Sequence, residues 1–102
     1  MDTRFIINIS LQGSEGHITY GRFCLGNDRS SADEIFQRLK GSTKEVAGCY
    51  LKIELLEEIM GLPVPSGLIS CTLDELKENI AIISKEVFRI ANLENKDIGP
   101  LI

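Results

Sequence analysis

Few side chains in this 102-residue sequence carry the groups that nucleophilic, acid–base or metal chemistry needs. There is one histidine, His17, and three cysteines, Cys24, Cys49 and Cys71. A catalytic histidine works beside a nucleophile or a carboxylate that orients it. His17 instead follows the glycine-rich stretch Gln12–Gly16, where exposed polar residues are ordinary. By residue type the four could form a Cys₃His zinc set. Their separations of 7, 25 and 22 residues lack the close pair from which a structural zinc site builds its chelating knuckle. Cys71 directly precedes Thr72, a helix cap, and is the one thiol near a helix N-terminus that would lower its pKa. With no such pair and no cation beside them, the cysteines read as buried small hydrophobes. No metal and no cofactor is expected.

The stretch Gly26-Asn27-Asp28-Arg29-Ser30-Ser31 is the best candidate for a small-ligand site. Arg29, Ser30 and Ser31 bring a cation and two hydroxyls to the start of a helix, where free backbone N–H groups favour an anion. Asp28, Asp33 and Glu34 add negative charge at the same place, and a capped helix entry with Arg29 paired to an acid explains the residues equally. It is not a phosphate loop, because no second glycine and no Lys-Ser/Thr follow. The paired carboxylates Asp33-Glu34 and Asp74-Glu75 fit helix starts, and Glu57-Glu58 fits a solvated turn. None of them implies a glycosidase or a metal centre without further ligands.

Composition narrows the remaining classes. The net charge is −4, and the 11 basic residues are scattered, so the electrostatic footprint of a nucleic-acid binder is missing. No run approaches the ~18–20 apolar residues of a membrane span, and the segment 4–11 is too short and too polar for a secretory leader. Three unpatterned cysteines point to a reducing, cytoplasmic setting. The 43% hydrophobic content suits one ordinary folded domain over residues 1–102.

The elements that must position these groups are legible from periodicity. Phe5, Ile7, Ile9 and Leu11 alternate with a second set, which predicts a half-buried strand. A Gly-rich connection and a second strand over 17–25 follow, with a bulge expected at Gly21. Ser31–Lys40 is expected to be a helix, capped by Ser31 and Glu34, lined by Ala32, Ile35, Phe36 and Leu39, and stopped by Gly41 in a left-handed conformation. A third strand is expected over 49–56, then a turn pivoting at Gly61. Pro63 and Pro65 confine the fourth strand to a sheet edge, or to pairing from about Gly67 to Cys71. The last helix spans Thr72–Glu94, opened by a Thr72/Glu75 capping box.

The order is therefore β-β-α-β-β-α, an α+β domain. A four-stranded, mainly antiparallel sheet should carry both helices on one face. An offset of 41 residues superimposes Ser31–Ile35 on Thr72–Leu76, which either reflects a duplicated ββα unit or the reuse of good capping residues. Along the last helix, Leu73, Leu76, Ile80, Ile83, Val87 and Ile90 form one seam, whereas Ile82 and Phe88 fall on opposite flanks outside it. That surplus marks Ile82 and Phe88 as a candidate contact surface. The sequence reads as a non-catalytic cytoplasmic protein-interaction or structural module that forms a homodimer, the commonest closed assembly. Two alternatives stand beside it. One is an anion-binding domain using the 26–31 loop. The other is an acidic inhibitor or immunity-type protein that masks a basic partner, an analogy of size and charge only.

Overall fold

The computed structural model describes residues 3–14, 16–43 and 51–94. Six elements follow one another: β1 (Thr3–Gly13), β2 (Gly16–Cys24), α1 (Arg29–Arg38), β3 (Leu51–Ile59), β4 (Leu62–Cys71) and α2 (Leu73–Glu94). This is the expected β-β-α-β-β-α order. The strands form one open antiparallel sheet in the order β2-β1-β3-β4.

Alternation on β1 creates the two faces. Phe5, Ile7 and Ile9 are buried with Leu51, Ile53 and Leu55 of β3, and Ile69 and Cys71 of β4 lie in the same cluster. Ala32 and Ile35 of α1, Leu39 just after it, and Leu76 and Ile83 of α2 close the core from above. Both helices therefore sit on one face. Arg4, Ile6, Asn8 and Ser10, with their β3 partners Glu58, Leu56, Glu54 and Lys52, point to the other.

Edge position explains the prolines. β4 has a neighbouring strand on one side only, and it pairs with β3 along its whole length, from Leu62 opposite Ile59 to Cys71 opposite Leu51. Pairing is not delayed until Gly67, because an edge strand can turn a missing N–H toward the open side. The register slips between Leu55 and Leu56, leaving Ser66 as the extra residue of a bulge. In β2 the slip lies between Ile9 and Ser10, so Tyr20, beside the expected Gly21, is the bulged residue.

The helix ends are where local chemistry departs from expectation. α1 begins two residues earlier than expected, because the Asp28 side chain accepts from the Ser30 N–H at 3.3 Å and takes the cap. Ser31 and Glu34 consequently lie within the helix. Leu39 ends it with an N–H bond to the Phe36 carbonyl, in extended conformation. Gly41 is not among the left-handed residues. A Cβ there would lie 2.7 Å from the Ser70 carbonyl oxygen, so the glycine serves close backbone approach instead. Ser42 then exchanges two backbone bonds with Ser70, each 2.8 Å, against the outer edge of β4. At α2 the capping box forms as expected: Thr72 N donates to Glu75 Oε1 at 2.9 Å, and Glu75 N donates to Thr72 Oγ1 at 3.2 Å.

Candidate functional site

The 26–31 loop leaves the sheet where Phe5 N bonds the Gly26 carbonyl and Leu25 N bonds the Phe5 carbonyl, at 2.8 and 2.7 Å. Gly26 turns the chain with φ 84°, a left-handed angle that suits glycine. α1 starts directly above the far end of β1 and β3, and this places Arg29 over Phe5. Its guanidinium carbon lies 5.4 Å from the Phe5 ring centroid, and its Nη2 donates to Glu57 Oε1. Arg29 is thus held by an aromatic face and a carboxylate from β3, 28 residues away. The Ser30 N–H is taken by Asp28.

Beside the loop lies a shallow depression of about 190 Å³, lined by Leu25, Gly26, Asn27, Asp28, Ser31, Arg89 and Ile90. Of the three residues proposed from sequence, only Ser31 lines it. The cation on its wall is Arg89 of α2, which no sequence pattern connects to this loop. Arg89 donates twice to Glu86 Oε1, at 2.9 and 2.7 Å, and Arg38 of α1 lies 3.3 Å from the other Glu86 oxygen. These hydrogen bonds from Arg89, joined by those of Arg38, hold the nearly buried Glu86 carboxyl below its ordinary pKa against the opposing effect of burial. Asp28 adds a second carboxylate to the rim.

Asn79 completes the join between the helices. It is fully buried; its Oδ1 accepts from the Lys40 N–H at 2.7 Å and its Nδ2 donates to the Lys40 carbonyl at 2.8 Å. Asn79 and Glu86 lie on the α1 side of α2, and Ile82 falls between them by helical spacing. That explains its position: Ile82 is partly buried against the core. Phe88, on the other flank, is 65% exposed. Leu73, assigned to the seam from its spacing, is also exposed, and the buried seam begins at Leu76.

Further apolar surface lies where periodicity gave no warning. At the β3–β4 hairpin, Met60 is 78% exposed and Leu62 70%, with Val64 also exposed. Met60 has φ 52° and Gly61 φ 83°, the two positive angles of a type I′ turn, in which methionine is unusual. Ile18 and Tyr20 of β2 and Leu68 of β4 are exposed as well.

His17 lies opposite Gln12 at the exposed end of β2. Cys24 is exposed, Cys71 lies in the core, and Cys49 is outside the described residues. Among the described residues no three His, Cys, Asp or Glu side chains are grouped to hold a metal ion. None of their helices is long and apolar enough to cross a membrane. Compared with known proteins, the chain matches no family model, no curated protein and no solved structure.

Proposed function

We propose that this chain is a non-catalytic, cytoplasmic protein-interaction module that works as a homodimer. The observation supporting this is the distribution of apolar surface. Eight large hydrophobic side chains are exposed among the described residues, three of them (Met60, Leu62 and Val64) clustered at one hairpin. Grouped exposed hydrophobics are the mark of contact surfaces, whereas single ones are ordinary. The cationic groups near the 26–31 loop already have carboxylate partners, which leaves little there for substrate chemistry. Sedimentation equilibrium across the micromolar range tests the reading. The expected result is a mass rising with concentration from one chain to two. A constant single-chain mass at high micromolar concentration would remove it.

The depression at Ser31 and Arg89 supports a second reading, a small anion held against the start of α1. Titration with inorganic phosphate, followed by amide NMR, should then shift Ser30, Ser31 and Ala32 saturably. Unshifted amides at millimolar phosphate end that reading.

A further inference from the structure

Resting on the self-association reading, we infer which surface two copies share: the open edge of β2 together with the flank of α2 beside it. Paired antiparallel with the β2 of a second chain, this edge continues the sheet from one copy into the next.

The two edges of the sheet are not alike. β4 carries Pro63 and Pro65, and Ser42 bonds its outer side at Ser70. β2 carries one bulge, at Tyr20, and no proline, and among the described residues no strand lies beyond it. Phe5 N donates to the Gly26 carbonyl and the Phe5 carbonyl accepts from Leu25 N, so the peptide groups of Phe5 face the β2 side. Alternation then turns the N–H and C=O of Phe23 and Gly21 toward β1, and those of Arg22 and Cys24 toward the open side. Every residue of β2 is at least partly exposed. An edge of this kind is a template for another strand.

Apolar surface follows the same edge. Four of the eight exposed large hydrophobics lie here, Ile18 and Tyr20 on β2 and Leu73 and Phe88 on α2. α2 packs against β2, and its other flank meets α1, where Asn79 bonds Lys40 and Glu86 pairs with Arg38. At about 100° per residue, Phe88 points away from Glu86 and α1, and Leu73 falls within about 60° of it. Ala81 and Ser84, on the same flank, are small enough to let a second helix approach. Ile18 lies opposite Leu11, on the helix-covered face. Ile18, Leu11, Leu51 and Cys71 form one row across the sheet, so Leu73 starts α2 at the Ile18 end and Phe88 lies toward the other.

This pairing of features points to the occupant. A lone extended peptide would bond the β2 edge and leave the helix flank bare. Covering both takes a strand with a helix beside it, and a second copy brings the two together. Antiparallel pairing of the β2 strands sets the α2 helices antiparallel as well, so Phe88 approaches the Leu73 end of the partner, twice by symmetry. The spacing fits. Four strands about 4.8 Å apart span about 19 Å, the width of two helices packed 8–10 Å apart, so the joined sheet carries its helices at an even interval. The shared face is about 30 Å long, from nine residues of β2, and about 20 Å deep through strand and helix. That gives roughly 600 Å² per copy and about 1,200 Å² in all, the size of a specific interface.

The test separates this edge from the other apolar cluster, Met60, Leu62 and Val64. Arg22→Pro removes an outward N–H at an edge position, where a strand tolerates proline. Phe88→Glu places a carboxylate on the helix flank at a position 65% exposed, so the chain keeps its fold. Each variant should dimerise about tenfold more weakly than the wild type in sedimentation equilibrium, a change of about 1.4 kcal/mol. Leu62→Glu, at the hairpin, should leave the dimer unchanged. In the wild type, exchange of the Arg22 and Cys24 amides should slow as concentration rises. A dimer that persists unweakened in Phe88→Glu, with Arg22 and Cys24 exchanging at the same rate at all concentrations, overturns this edge and leaves self-association standing. So does a dimer that only Leu62→Glu dissociates, which would place the interface at the hairpin. A wild type that is monomeric throughout removes self-association itself.

Discussion

At the scale of single residues, Asn79 joins the two helices through one side chain. Its amide satisfies both the N–H and the C=O of Lys40, just beyond the end of α1. Asn79→Ala removes both bonds and strands two backbone groups at the helix junction, a loss of about 2 kcal/mol. Urea denaturation should show this as a lower midpoint with an unchanged slope. Met60 invites the opposite change. A non-glycine residue in the left-handed region carries a cost of about 1 kcal/mol, which asparagine tolerates better than methionine. Met60→Asn should therefore raise the melting temperature by a few degrees, read by circular dichroism. Neither role could be read from the sequence. Asn79 sits inside a helical seam where its partner lies 39 residues earlier, and Met60 falls in the expected turn at Gly61 but is not a residue type that marks a left-handed angle. Arg29 was legible as paired, but its partner was not: Glu57 arrives from another strand.

At the scale of elements, the strands and helices followed from periodicity, and the errors lie at their ends. Two capping candidates, Ser31/Glu34 and Thr72/Glu75, have the same spacing, yet only the second forms a box. In the first, Asp28 three residues upstream competes for the cap and wins. Spacing alone cannot rank rival caps. A helical wheel likewise shows Ile82 on a flank, but not that it packs partly buried against the core.

The α1–α2 seam also carries a pH dependence. Glu86 has its pKa lowered in the folded chain, so the unfolded chain binds its proton more readily. The resulting stabilisation is fully present above the ordinary carboxylate pKa of about 4.3 and is lost as pH falls through the lowered folded value. Glu86→Gln should reduce stability at pH 7 and flatten its decline below about pH 4.5, as measured by urea midpoints across the acid range.

At the scale of the whole molecule, the sheet order β2-β1-β3-β4 reads the same when the two ββα halves are exchanged. The strands do not keep the 41-residue offset, since β4 starts at Leu62 and β2 at Gly16. The helices break the symmetry, with 10 residues in α1 against 22 in α2. The two sheet edges differ too. β4 is guarded by Pro63, Pro65 and the Ser42 bridge, whereas β2 has no proline. Composition and alternation announce a two-faced sheet, but which strand neighbours which is a long-range choice that local patterns do not encode.

That order has a consequence for how the chain comes to be folded. β1 is central, and its second edge pairs with β3, from Thr3 opposite Ile59 to Leu11 opposite Leu51. The first ββα unit can close its own hairpin early, since only a tight turn separates the strands. It then waits, with Phe5, Ile7 and Ile9 half-covered and one row of β1 amides unbonded, until the residues of β3, Leu51–Ile59, have been made. Loop closure over such distances is slow compared with hairpin formation. The halves are alike in plan, yet on an elongating chain the first depends on the second to complete it.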